Sequence, residues 1–292
     1  MTSNQDEKNV LIFGKTGQVA AELRARAPDA KYLAHDEADL SDPEACAAAI
    51  RAARPAAVIN AAAFTAVDRA EEEEDRATWI NAVAPGAMAA TCADLGIPLV
   101  HVSTDYVFDG SGNAPRRPDD ATAPLGAYGR SKLAGEVAIR ESGAIHAILR
   151  TSWVVSAHGG NFVKTMLRLG RERDGLRIVA DQIGGPTCAA DLADACLRVA
   201  ATLRDTPATG GTYHFAGAPA TSWAGFARAI FEMAGIDCPV EDIPSSDYPT
   251  PAQRPLNSRL DCSATRTAFG LEAPDWRAGL RDILTELGEI SR

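Results

Sequence analysis

The chain runs from "NVLIF" (9–13) straight into "GKTGQVAAEL" (14–23). A short β-rich run, two glycines three residues apart and an Ala-rich helical stretch restrict the available folds more than any other feature. A residue without a Cβ permits a tight strand-to-helix turn, and the helix that follows offers unpaired N–H groups at its start. The alternation then continues. "KYLAH" (31–35), "AAVINAAA" (56–63), "PLVHVST" (98–104) and "HAILRTS" (146–152) read as further strands. Between them the pattern predicts helices over 17–27, over 42–53 with Ser41 as N-cap, over 74–94, and one beginning near residue 128. Strands separated by helices of this length imply right-handed crossovers and a parallel sheet covered on both faces. After about residue 155 the pattern loosens: a sixth strand "RIVAD" (177–181), a helix near 189–203, "TYHFAG" (212–217), a helix over 222–235, a Pro/Ser/Arg-rich stretch (243–261) and a last helix over 276–288.

Bulk properties narrow the function. The 292 residues suffice for one large α/β domain or two smaller ones. A net charge of −10 argues against a nucleic-acid partner or an anionic membrane surface, while leaving room for a local basic pocket. The six cysteines form no C-x-x-C pair and read as reduced core thiols. The N-terminal "MTSNQDEK" is polar and no long apolar run occurs, so neither a signal peptide nor a membrane span is expected. The expectation is a soluble cytoplasmic protein.

The glycine junction has the pattern G-x-x-G-x-x-A, with Gly14, Gly17 and Ala20. As the first strand-to-helix turn of a βαβ series it suits a dinucleotide pyrophosphate; a turn without a ligand is the alternative. Gln18 and Val19 open the helix behind it. Asp36 stands where an acidic residue takes ribose hydroxyls, with Asp39 and Leu40 just beyond for the adenine, unless this is simply a solvated acidic loop. Ala63 and Thr65 follow the third strand, where small residues let a cofactor cross the strand tips. NAD and NADP both remain open.

"GAYGRSKLAGE" (126–136) carries the reactive chemistry. The chain has five tyrosines and five lysines, so the pairing of Tyr128 with Lys132 one helical turn on is not a chance expectation. A free phenol is a sluggish acid at neutral pH, and a nearby ammonium brings its pKa toward the working range. The ammonium can also hold a nicotinamide ribose. Ser103 and Thr104 end the fourth strand, at the carboxyl edge where open α/β sheets bind ligands, and supply a hydroxyl beside the tyrosine.

In order, "GKTGQVA", "NAAAFTAVDRAE", "STDYVFDG", "YGRSKLAGE", "RTSWV", "NFVKTMLRL", "DQIGGPT" and "YPTPAQRPLNSRLD" resemble the extended short-chain dehydrogenase/reductase superfamily, and more closely the dTDP-4-dehydrorhamnose reductase family. The resemblance implies an α/β fold: a Rossmann-type doubly wound parallel sheet with a smaller C-terminal α/β substrate-binding region. Residues 1–155 would form the NAD(P)-binding domain, with segments about 177–215 returning to it, and 156–292 mainly the substrate-binding region. It further implies reduction of the 4-keto group of dTDP-4-dehydro-6-deoxy-L-mannose by NADPH or NADH. Tyr128 would be the proton donor, Thr104 its hydrogen-bonding neighbour, and Lys132 the residue that holds the ribose and lowers the tyrosine pKa. Gly14, Gly17, Gln18, Val19, Asp39, Leu40, Ala63, Phe64 and Thr65 would line the cofactor with that pair. Thr104, Asp105 and Trp153 would touch the sugar nucleotide.

Other positions keep two readings. Trp153 packs in the core or against a ligand, and Asp105 caps a turn or meets substrate. Arg254 and Arg259 suit a pyrophosphate or are solvated loop charges, and Asn257 is similar. Gln182 contacts substrate or satisfies backbone. His158 has no partner pattern and reads as a loop residue. Ala20 replaces the family's commoner glycine, and Phe64 stands where relatives often carry His or Tyr. Some relatives pair around a divalent metal, so a homodimer stays open, but Ala190, Asp191 and Glu286 are too thin a set to propose a metal. A different sugar-nucleotide reductase or epimerase, and a non-catalytic regulatory subunit, are the competing functions.

Overall fold

The computed structural model describes residues 9–291, so the polar N-terminal octapeptide lies outside the described residues. The first half of the chain contains β1 (Val10–Phe13), α1 (Gln18–Arg26), β2 (Lys31–Leu33), α2 (Pro43–Ala53), β3 (Ala57–Asn60), α3 (Val67–Ala70), α4 (Glu74–Thr78), α5 (Ala84–Leu95), β4 (Leu99–Thr104), α6 (Ala127–Glu141) and β5 (His146–Thr151). The second half contains β6 (Val154–Val155), α7 (Phe162–Glu172), β7 (Leu176–Val179), β8 (Ile183–Gly184), β9 (Thr187–Cys188), α8 (Ala189–Asp205) and β10 (Gly211–His214). After these come β11 (Thr221–Ser222), α9 (Trp223–Ala234), β12 (Val240–Ile243), β13 (Asn257–Ser258), α10 (Ser263–Phe269) and α11 (Trp276–Glu286).

Six strands form one parallel sheet in the order β10-β5-β4-β3-β1-β2. Strand alternation divides its side chains between two cores. Val10, Ile12, Ile59, Val100 and Leu149 pack under α1 and α8, whereas Leu11, Phe13, Val58, Leu99 and Ile148 pack under α2, α5 and α6. Both faces are covered, which explains the continuous apolar runs in these strands. From β1 the chain moves outward to β2, then returns across β1 to β3. That reversal opens a crevice beyond the carboxyl ends of β1 and β3, where ligands of such sheets bind.

Three local expectations are revised. Asp42 rather than Ser41 caps α2, its carboxylate accepting from the Ala45 N–H at 3.0 Å. The helical region 74–94 is interrupted by a π-helical turn at Trp79–Val83, with Pro85 near the start of α5. Proline has no N–H for an α-helical bond, so the ladder shifts register there. The strand at 176–179 is present but pairs with β12, outside the large sheet, and the sixth strand of that sheet is β10. Apolar periodicity identifies a strand but not the strand it pairs with.

A separate apolar core joins α7, α9 and α11 through Val163, Leu167, Phe226, Ile230, Trp276 and Leu280. Beside it β8 pairs with β11 and β13. No helix among the described residues is long and apolar enough to cross a membrane.

Candidate active site

The glycine loop leaves β1 with Gly14 at φ +112°, a conformation L side chains rarely adopt, and the Gly14 N–H donates to the Leu33 carbonyl at 3.0 Å. A Cβ on Gly14 would meet the Ala20 methyl and the Ala61 backbone at 3.5 Å, so Ala20 closes the loop against α1. Gly17 differs. Its φ of −69° suits any residue, and a Cβ there would touch nothing within 4 Å. The polypeptide itself gives no reason for this glycine, whereas backbone approach to an anion does. No side chain caps α1 and its first turn holds no acid. The loop therefore fits a pyrophosphate.

The neighbouring candidates are tied in place. Gln18 accepts from Ser156 at 3.1 Å and Asn161 at 2.9 Å and reaches the Val154 carbonyl, clamping α1 to the segment after β5. Val19 and Leu40 turn their side chains into the two cores of the sheet. Asp39 accepts from the Ser41 N–H at 2.8 Å, which with nearby His35 and Arg76 holds its carboxyl below the usual range. Asp36 is exposed at the same edge. At the tip of β3, Ala63 is half-buried and Thr65 exposed. The Phe64 ring is buried beside Ala70, Ala77 and Ala127, with the Arg69 guanidinium 5.6 Å from its centroid. Its backbone is gripped on both sides by Asn81, whose amide also donates to Ser131 at 2.9 Å. Ser131 in turn donates to the Tyr128 carbonyl at 2.8 Å. Asn81 thus fixes the β3 tip relative to Tyr128, a tie across distant positions that no local pattern announces.

The first turn of α6 is positioned by Glu71, whose carboxylate accepts from the Ala127 N–H at 2.8 Å. Tyr128 meets Thr104 at the end of β4 and packs edge-on against Tyr106 at 5.5 Å. The phenol is pushed up to about 12: burial raises it, the Thr104 hydrogen bond works downward, and the Asp105 carboxylate raises it again. This revises the expectation that Lys132 lowers the tyrosine. The Lys132 Nζ is directed instead to the Val102 carbonyl at 2.8 Å and to His101 Nε2 at 3.1 Å. Burial brings the lysine down to about 8, against the opposing pull of Glu136.

Ser103 lies on the other face of β4 from Thr104. Its hydroxyl donates to Glu136 at 2.6 Å, away from Tyr128, as the period of two requires. Burial would raise Glu136, but Arg150, Ser103 and Arg140 hold its carboxyl below the usual range.

Asp105 is 2% exposed and Oδ2 has no hydrogen-bond partner. Burial raises the carboxyl to about 6, with hydrogen bonds to Ser258 and Thr104 opposing. Trp153, at φ +49°, stacks on Trp223 with centroids 3.7 Å apart. Gln182 holds that second indole, accepting from Trp223 Nε1 at 3.1 Å and donating to Ser245 at 3.0 Å.

The loop arginines are engaged. Arg254 forms a bidentate pair with Asp68 at 3.0 and 2.8 Å, so the fork that suited a pyrophosphate already grips a carboxylate. Asn257 donates to the Ala114 carbonyl and accepts from Arg259 at 2.9 Å. His158 has partners after all, its Nε2 lying 3.8 Å from Glu22 and 3.6 Å from Glu286.

A parallel sheet with a glycine turn after β1, a hydroxyl ending β4 and a Tyr-x-x-x-Lys pair on the following helix defines a Rossmann-type oxidoreductase of the short-chain dehydrogenase/reductase class. The family described as RmlD substrate binding domain matches residues 8–289, and the chain belongs to it. The dTDP-4-dehydrorhamnose reductase of Escherichia coli (strain K12) is 44% identical over 96% of this chain and 98% of its own length. That of Burkholderia thailandensis is 45% identical over 95% of this chain and 99% of its own. Among solved structures, a dTDP-4-dehydrorhamnose reductase from Bacillus anthracis in complex with NADP is 35% identical, with TM-score 0.88 over 95% of this chain and 98% of its own. UDP-glucose 4-epimerase from Brucella ovis, 17% identical with TM-score 0.79, covers 96% of this chain and 98% of its own and shares the fold.

Asp105 gives a stability prediction. Its folded value of about 6 lies above the ordinary 3.8, so its contribution is fully present below about pH 4 and is lost as pH rises through 6. Asp105→Asn is expected to raise unfolding free energy by roughly 2–3 kcal/mol at pH 8 and by little at pH 4. Denaturant melts at the two pH values check this, and equal shifts at both would contradict it.

Proposed function

We propose that the protein reduces the 4-keto group of dTDP-4-dehydro-6-deoxy-L-mannose to dTDP-L-rhamnose, with NADPH or NADH as reductant. The observation that carries this reading is the Tyr128 phenol, kept protonated next to Thr104 at the carboxyl end of β4. Reduced nicotinamide, when bound, supplies the hydride to C4 of the sugar. Tyr128 gives its proton to the oxygen that becomes the C4 hydroxyl, and Thr104 hydrogen-bonds beside it. At about 12 the phenol is protonated at neutral pH, so it holds the proton that reduction consumes.

Gly14, Gly17, Gln18 and Val19 receive the pyrophosphate at the start of α1. Asp39 and Leu40 border the adenosine, and Ala63, Phe64 and Thr65 form the edge at β3. Lys132 takes the nicotinamide ribose. On the sugar-nucleotide side, the unpartnered Oδ2 of Asp105 accepts from a substrate hydroxyl, and the Trp153–Trp223 stack, braced by Gln182, forms a flat apolar wall. Arg254 and Asn257 shape that side through the loop they brace. Residues 1–155 with α8 and β10 act as the cofactor half, and most of 156–292 as the sugar half. Six free cysteines, five of them buried, suit a reducing compartment, and the reading is of a cytoplasmic enzyme.

The test is NAD(P)H consumption with the keto sugar generated in situ. Wild-type protein is expected to turn over, and Tyr128→Phe to lose about 10²–10⁴-fold in kcat while still binding cofactor. Full activity in the variant would remove Tyr128 as proton donor. A homodimer belongs to the same reading, since Trp79, Val83 and Val137 present exposed apolar side chains. Sedimentation equilibrium checks it, and a mass of 30.7 kDa at working concentration would contradict it.

A further inference from the structure

Lys132 is held by a row of buried polar groups that the proposed chemistry leaves unused. Its Nζ lies 3.1 Å from His101 Nε2 and 2.8 Å from the Val102 carbonyl. On the far side of the imidazole, Nδ1 lies 3.1 Å from Asn60 Nδ2. The Asn60 Oδ1 accepts from the Ala62 backbone N–H at 3.1 Å. Asn60 is 1% exposed and His101 0%.

The direction of the row follows from its far end. A backbone N–H can only donate, so it holds Oδ1 of Asn60 on its own side. The amide nitrogen then faces His101 as a donor, and Nδ1 must accept. A neutral imidazole carries its single proton on Nε2 in that case, pointing at Nζ. An ammonium has three donors and no lone pair, whereas a neutral amine can accept. The row is therefore self-consistent with Lys132 as the amine. An ammonium in the same place requires the imidazole proton to move to Nδ1, where it meets the Asn60 amide donor to donor. Relief comes only if the amide turns over, and the Ala62 N–H then loses its acceptor.

We propose that Asn60 and His101 are positioning residues, forming a buried relay that couples the charge of Lys132 to the tautomer of His101 and to the orientation of one amide. The relay ends at Ala62, beside the Ala63–Thr65 edge, so a change of charge beneath Tyr128 is felt at the tip of β3. The titratable groups around Lys132 agree with this direction. His101 faces it from β4 and is held well below its ordinary value, by burial and then by Lys132. Tyr128 and Glu136 stand one turn before and after it on α6. Glu136 raises the lysine, but its own charge is gripped by Arg150 from β5 and by Arg140.

The tautomer is independent of the reductase reading, and only its catalytic consequence rests on that reading. The experiment is NMR of the full chain labelled with ¹⁵N at histidine and lysine, followed by turnover against pH. Wild-type His101 is expected to carry its proton on Nε2 at high pH and to move it to Nδ1 as Lys132 becomes charged near pH 8. In Asn60→Asp the carboxylate can only accept, which places the His101 proton on Nδ1 throughout. The Lys132 pKa then rises by about one unit or more, and the alkaline limb of turnover moves with it. A proton on Nδ1 in the wild type at high pH would overturn the relay, and that measurement needs no variant. A shifted Lys132 with an unmoved turnover limb would overturn the positioning role. A wild type without turnover would count against the reductase reading and leave the tautomer result standing.

Discussion

Lys132 and Glu136 lie one turn apart on the face of α6 that rests against the sheet, and both are buried. A buried charge without partners costs several kcal/mol, so each must be met by a group fixed elsewhere in the protein. Glu136 is met by Arg150 through two bonds of 2.9 and 2.7 Å and by Ser103 at 2.6 Å. Lys132 donates to the Val102 carbonyl at 2.8 Å in either charge state, and its Nζ lies 3.1 Å from His101 Nε2. All these partners sit on β4 and β5, so satisfying the charges sets the height and rotation of α6 on the sheet. The backbone also approaches closely: a Cβ on Gly129 or Gly135 would fall 2.2 Å from the Tyr106 carbonyl or 2.0 Å from that of Asn81. Tyr128, one turn earlier on the same face, is thereby delivered to Thr104.

The same burial governs the chemistry. Phenol and carboxylic acid are both less willing to ionise in a site poor in water, so Tyr128 goes up to about 12 and Asp105 to about 6. Burial drives the lysine the other way, to about 8. Strand alternation keeps the two uses of β4 apart. His101 and Ser103 serve the helix behind the sheet, while Thr104 turns to the crevice. One strand therefore anchors the helix that carries the acid and supplies the hydroxyl beside it.

Much of this was legible because it is local. A glycine turn after an apolar run, a hydroxyl at a strand end and a Tyr/Lys spacing of four are set by positions a few residues apart, and the structure places Thr104 and Tyr128 in contact. Ser103 turns to Glu136 rather than to the tyrosine, as the rule of two requires once its neighbour Thr104 occupies the face toward Tyr128. The same rule puts His101 on the face of Ser103, so "HVST" already held a signal for the partner of Lys132. Arg254 and Asp68, or Asn81 and Phe64, could not be matched in this way. Each pair joins segments whose meeting is decided by the folded chain. The pairing of β7 with β12 was hidden for the same reason.

As proposed, the crevice delivers hydride to C4 of a keto sugar and leaves it there. Turnover with cofactor deuterated at C4 of the nicotinamide, followed by NMR of the nucleotide sugar, tests this most directly. Deuterium is expected at C4 of dTDP-L-rhamnose, with one oxidised cofactor released for each sugar reduced. Product without deuterium at C4, or sugar inverted while the cofactor stays reduced and bound, would contradict it.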